Sequence, residues 1–208
     1  MQPIVKKTIA LFVVAVLMVM AYYGSYLPLQ KSYLFIDSLK EGSTAVSLEE
    51  FERIISKPLD APSPIGQEEL VRNIAGSVLN VIGARGENID LTEQLLNYLN
   101  SYFDPLIERG TGMSFTQNLY ILGSINSTAL QKTHQVRFLD KAKSYMEQGL
   151  KLSPGRPQFL YALFNLYRVE GNVAKVKEVG EKILEQWPKD EGTRQGLAAF
   201  LKDNSNKK

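Results

Sequence analysis

The sequence predicts an all-α protein: one membrane-spanning helix at the N-terminus, then a body of stacked helical hairpins, an α-solenoid. Three observations predict it. An uncharged apolar run occupies residues 8–27, apolar residues recur at three and four positions through the rest of the chain, and prolines recur at a fixed period near its end. No alternating stretch is long enough to argue for a sheet.

From Thr8 to Tyr23 (TIALFVVAVLMVMAYY) there is no charge, and 24–27 extend the run to twenty residues. Twenty helical residues rise about 30 Å, the thickness of a bilayer's hydrocarbon core. The run is apolar all round, whereas a soluble amphipathic helix carries a polar face. Tyr22, Tyr23 and Tyr26 cluster at its far end, where aromatic rings favour the membrane interface. Lys6 and Lys7 at the near end place the N-terminus in the cytoplasm by the positive-inside rule, so the body is expected on the extracytoplasmic side of the inner membrane. A cleaved signal peptide with Val19-Met20-Ala21 at its cleavage site is the competing reading, but bulky Tyr22 and Tyr23 follow that site. Both readings export the body.

The anchor thus covers residues 1–29, with Leu27-Pro28-Leu29 ending the span. Residues 30–64 read as juxtamembrane helices and a connector: a short helix over about 30–39, a break at Glu41-Gly42-Ser43-Thr44, and a helix to about Lys57 opened by the capping box Ser47-Leu48-Glu49-Glu50. Pro58, Pro62 and Pro64 then predict a rigid, extended connector.

Residues 65–203 form the expected repeat domain. Leu70, Val71, Ile74, Val78, Leu79 and Ile82 make one helical stripe, closed by a turn at 83–86. Asp90-Leu91-Thr92-Glu93 is expected to cap a second helix bearing Leu95, Leu96, Leu99, Phe103, Leu106 and Ile107. Ser114-Phe115-Thr116-Gln117 is expected to cap a third, with Leu119, Tyr120 and Leu122. Pro154 and Pro188 stand 34 residues apart, each closing a helix. In the first, small Ala142 and Gly149 lie seven apart on one face with Tyr145 and Met146 between. The next unit begins at Pro157, with a stripe of Leu160, Leu163, Phe164 and Tyr167, a turn at Gly171-Asn172, and a returning helix lined by Val176, Val179, Gly180, Ile183 and Leu184. A final helix bearing Leu197, Phe200 and Leu201 covers the last apolar face, as such stacks require. Residues 204–208 are a polar tail.

These helix–turn–helix units closed by proline resemble the tetratricopeptide repeat, over the second helix before Pro154 and over 157–190. They depart from it elsewhere. Leu122-Gly123 resembles the repeat's first-helix signature, but Ala142 follows 19 residues later where about 12 are usual, so either the helices there are longer or the loop at 130–135 is larger. Val176 and Gly180 stand where small and aromatic residues are usual. The whole layout resembles the C-terminal extracytoplasmic part, with its last membrane helix, of O-antigen-ligase-like membrane proteins: a terminal span, Leu27-Pro28-Leu29-Gln30, a capped short helix, the Pro64-Ile65-Gly66-Gln67-Glu68-Glu69-Leu70 segment, then repeats. That resemblance implies a bacterial cell-envelope setting. It carries over no active-site residue, because in that family those sit on a multi-helix core.

Composition narrows function. The 24 Lys and Arg exceed the 22 Asp and Glu by Lys6 and Lys7, leaving the 181 residues after the span balanced. A neutral body lacks the basic footprint of a nucleic-acid binder. There is no cysteine and a single histidine, His134, which excludes disulfides, cysteine nucleophiles and thiolate or His-pair metal sites. His134 lies in the polar run after Gln131-Lys132-Thr133, and no G-x-S-x-G frames a serine, so a surface histidine is expected. Glu49-Glu50 and Glu68-Glu69 fall in first helical turns, where they offset the helix dipole. Gly110-Thr111-Gly112 is too short for a phosphate loop and reads as a helix stop. Asn126-Ser127-Thr128 fits a glycosylation sequon, to which no role is assigned. No catalytic residue, cofactor or metal site is expected.

What remains is surface. Gln158, Tyr161, Asn165 and Arg168 share one helical face, opposite Leu160, Leu163 and Tyr167. Aligning Leu122-Gly123 with Leu163-Phe164 sets Gln117 on Gln158, Tyr120 on Tyr161 and Ser124 on Asn165. This repeated aromatic with amides and hydroxyls suits an extended peptide or a glycan. Lys175, Lys177, Glu178, Glu181, Lys182 and Glu185 read as solvated helix surface. The sequence-based expectation is therefore a membrane-anchored, non-catalytic scaffold. It binds a protein or peptide, such as a component of envelope polysaccharide assembly, touches lipid through residues 8–27, and takes no nucleic acid. The rivals are the tail of a glycan transferase or polymerase whose catalytic core is encoded separately, and an accessory subunit of the protein export machinery.

Overall fold

The structure is a computed structural model describing residues 3–42, 44–112 and 114–205. Ser43 of the expected break and residues 206–208 of the expected tail lie outside them. The described residues are helical with no strand, in the order α1 (Pro3–Ala21), a π turn (Tyr22–Tyr26), α2 (Leu27–Gly42), α3 (Leu48–Asp60), α4 (Gln67–Arg85), α5 (Ile89–Arg109), α6 (Phe115–Thr133), α7 (Val136–Leu152), α8 (Pro157–Glu170), α9 (Val173–Gln186) and α10 (Glu191–Ser205). The chain divides into two compact units, Met1–Ile74 and Ala75–Lys208, with the division inside α4.

In the first unit, α1 is long and apolar enough to cross a membrane, and none of it is buried against protein. Pro28 does not end this helix as expected; α1, the π turn and α2 form one continuous rod, Pro3–Gly42. The π turn gives the reason. A helical proline clashes with the carbonyl four residues back, here that of Gly24. The turn just upstream is widened, with the Leu27 N–H donating to the Tyr22 carbonyl five residues behind, which opens room for the ring.

α2 packs on α3, and the Lys31 ammonium, 5% exposed, ties the helix to the following loop. It donates to the Ala61 carbonyl (2.7 Å) and to Gln67 Oε1. Ser47 caps α3 as expected: its Oγ accepts from the Glu50 N–H (3.1 Å), while Glu50 Oε2 accepts from the Val46 N–H (3.0 Å). Pro58 was expected in the connector but lies inside α3, which runs to Asp60. Breaking an interior hydrogen bond costs about 3 kcal/mol. Burying Ile54, Ile55 and Leu59 on the same face returns about 1.5–3 kcal/mol each, so packing wins.

In the second unit, α5 starts two residues earlier than expected. Its cap is Asn88, whose Oδ1 accepts from the Leu91 N–H (3.0 Å), and Asp90 falls inside the first turn. Gly110 (φ 67°) stops α5 in the left-handed region, as a helix stop requires. Ser114 occupies the cap position of α6 but makes no capping bond with its side chain. From α6 onward each helix packs on the next, and α6 also touches α8. The core includes Phe103, Leu119, Leu122, Phe159, Leu163 and Ile183, each at most 1% exposed.

The 19-residue spacing has a simple resolution. Gly123 lies ten residues before the end of α6, its counterpart Phe164 six before the end of α8. Ala142 lies six after the start of α7, Val176 three after the start of α9. The first hairpin is therefore taller by four and three residues, about one turn in each arm. Its connection, His134-Gln135, is as short as Gly171-Asn172.

Candidate interaction face of the helical body

The residues expected to form a groove lie on α6 and α8, which touch, but most are already committed within the molecule. Arg156, at the start of α8 before Pro157, sends its guanidinium across to α6. Nη1 donates to Thr116 Oγ1 (2.8 Å) and Nη2 to Gln117 Oε1 (3.0 Å). This explains why Gln117 does not serve as a capping partner. The Tyr120 and Phe159 rings meet in a T-shaped pair (5.9 Å between centroids), and the Ser124 hydroxyl donates to the Tyr120 carbonyl (2.8 Å).

Tyr161 is half-buried and works as a brace. Its hydroxyl donates to Asp190 Oδ2, and its ring lies 5.9 Å from that of Trp187. Asp190 in turn accepts from the Thr193 N–H and hydroxyl, both at 2.9 Å. The Tyr161 hydrogen bond, helped by those from Thr193, holds the Asp190 carboxyl below the usual carboxylate range. The same bond raises the Tyr161 phenol above its ordinary value.

Gln158, Asn165 and Arg168 remain exposed. Arg168 Nη1 lies 3.5 Å from Asn165 Oδ1, and its guanidinium rests 5.5 Å from the centre of the Phe164 ring. Asn165, Arg168, Val169 and Phe200 line an open depression of about 350 Å³ between α8 and α10. One cation, one amide and two apolar side chains can hold an extended chain carrying a carboxylate; the depression has no nucleophile or base.

A second open depression, about 440 Å³, lies among α7, α8 and α9 with Lys151, Lys175 and Lys182 on its walls. There the Tyr167 hydroxyl donates to Glu147 Oε1 (2.7 Å). Burial first, then that bond, push the phenol far above its ordinary value. Lys175 also bridges Glu178 at 2.8 Å.

Other expectations resolve locally. His134 is exposed and closes α6 with φ 55°. Asn126 of the sequon is 2% exposed in mid-α6, its amide donating to the Leu122 carbonyl (2.8 Å), so it is closed to modification in this fold. Among the described residues no group of three His, Cys, Asp or Glu could hold a metal ion. Sequence reasoning missed Arg156 and Phe200 in these roles. The only local signal for Arg156 was its place before a helix-opening proline. No protein-family model, curated protein or solved structure matches the chain.

Proposed function

We propose that the protein is a membrane-tethered, non-catalytic interaction module. α1 anchors it, the body stands on the extracytoplasmic side, and α6–α7 and α8–α9 act as successive tetratricopeptide-like units. The depression at Asn165, Arg168, Val169 and Phe200 receives an extended segment of a partner protein, with Arg168 meeting a carboxylate and Asn165 the backbone. A partner in envelope polysaccharide assembly fits this setting. The observation that carries the reading is the pairing of an unburied apolar helix with a body that buries a separate core. The equal two-residue turns and the 34-residue spacing of Pro154 and Pro188 support the repeat assignment.

Affinity capture from detergent-solubilised membranes, read by mass spectrometry, tests it. Arg168→Glu removes a charge-assisted contact of about 1.5–3 kcal/mol, so recovery of the partner should fall roughly 10- to 100-fold. Identical captured sets from the wild type and Arg168→Glu overturn the site. Recovery of the intact chain from the soluble fraction overturns the tether.

A further inference from the structure

Beyond the π turn, α2 has two contrasting faces. Lys31 and Ser38, seven residues apart, are buried. Opposite them Tyr26, Leu29, Tyr33 and Ile36 follow one another at alternating spacings of three and four residues, each between 46% and 60% exposed. Tyr22 joins this face, its ring stacked on that of Tyr26 with centroids 5.5 Å apart. In heptad terms Tyr26 and Tyr33 are a positions, Leu29 and Ile36 are d positions, and Lys31 and Ser38 are f, the position farthest from the seam. Scattered exposed apolar residues are ordinary on a surface. Large apolar residues kept in a and d register are what a second helix fills.

Continuity with the membrane span identifies the occupant. The seam runs unbroken from the interfacial tyrosines to Ile36, ten residues past Tyr26 or about 15 Å of helix. Whatever covers it must leave the bilayer beside α1 and continue as a helix over that height. A second copy supplies such an element by construction. Charge does not oppose the pairing: Gln30, Ser32, Asp37 and Leu39 flank the seam at e and g, and Asp37, the one charge among them, pairs with Lys40 of its own helix at 3.7 Å. In parallel register Ser32, whose hydroxyl donates to the Pro28 carbonyl of its own helix (2.9 Å), faces Asp37 of the second copy and sets no like charge against it.

We propose that the chain pairs with a second copy of itself, α2 lying parallel to α2 along Tyr26, Leu29, Tyr33 and Ile36. The parallel sense rests on the reading that α1 spans the membrane.

Because the chain has no cysteine, single replacements give a clean test in isolated membranes holding the full chain. Disulfides bridge only backbones within about 7 Å, so oxidation should yield a product of twice the chain mass at least about fivefold more for Leu29→Cys, Tyr33→Cys and Ile36→Cys than for Val46→Cys and Ile65→Cys, which are at least as exposed but lie off the seam. The three seam positions are exposed, so these variants keep the fold. Uniform cross-linking, no dimer, or an adduct of another mass overturns the pairing. Alkaline carbonate extraction of the same membranes separates the two readings. Release of the chain strikes the membrane span, whereas a retained chain without the seam pattern strikes the pairing alone.

Discussion

In the α6–α7 hairpin the first helix provides the gap and the second the filling: a Cβ on Gly123 would stand 2.6 Å from Met146 Cε. In α8–α9 the parts are exchanged. Phe164 on the first helix fills, and Gly180 on the second makes room, its absent Cβ 3.0 Å from the ring. These are equivalent places. Met146 and Gly180 are 34 residues apart, and Gly123 aligns with Phe164 once the extra turn in each arm of the first hairpin is allowed for. Close packing fixes the combined volume across an interface and leaves open which side supplies it. A motif written residue by residue cannot see such an exchange.

Between the hairpins there is no such freedom, and the largest expected effect lies there. A Cβ on Gly149 would fall 2.1 Å from Phe159 Cε1. Phe159 is 0% exposed, met by the Tyr120 ring at 82° and by the Arg156 guanidinium 5.9 Å from its centre, so it cannot step aside. Gly149→Ala should destabilise the body by about 3 kcal/mol despite its better helix propensity. Urea unfolding of the detergent-solubilised chain, followed by Trp187 fluorescence, would measure it. A wild-type midpoint would mean that α7 and α8 are not keyed together here.

The exchange itself can be tested next. Gly123→Leu alone overpacks the first hairpin, and Met146→Ala alone leaves a cavity. Made together they rebuild the arrangement of the second hairpin, so a double-mutant cycle should return about 1–2 kcal/mol of favourable coupling. Strictly additive losses would show that the two hairpins do not share one packing rule.

The same contrast marks how far the sequence could be read. The stripes of α4 to α9 and the turns at Gly110 and Gly171 were legible because local periodicity and left-handed glycine act within one or two turns of helix. Pro28 and Pro58 were not legible as helical, since a proline's cost is met by a widened turn or by packing that a local window does not contain. Asn165 and Arg168 were legible as exposed from helical spacing alone. The bracing role of Tyr161 was not, because it depends on Asp190, 29 residues away.

That brace is a titratable joint at Tyr161, whereas the aligned Tyr120 packs on Phe159. The folded Asp190 pKa is depressed, so its contribution is present above the unfolded carboxylate value near 4 and is lost as pH falls through the folded value. Tyr161 is raised, so its contribution is present below the unfolded phenol value near 10 and is lost as pH rises through the folded one. Tyr161→Phe should lower the melting temperature slightly at pH 7, and the difference from wild type should close as pH falls through the depressed Asp190 value. A difference unchanged in acid would assign the loss to the ring's packing on Trp187.

Gly180→Ala is expected to do least. Its added methyl would sit 3.0 Å from the edge of Phe164 and 3.2 Å from Leu197 Cδ2, contacts that a shift of a few tenths of an ångström relieves because Leu197 is only half-buried. Alanine gains about 1 kcal/mol over glycine in a helix interior, which offsets that tightness and leaves the net change within about 0.5 kcal/mol of zero. Gly123→Ala faces a tighter 2.6 Å approach, though to the flexible end of Met146, and should cost about 1 kcal/mol. If urea midpoints reverse this order, the glycine of the second hairpin is the tighter socket, and the exchange of large for small between the hairpins is not volume-neutral.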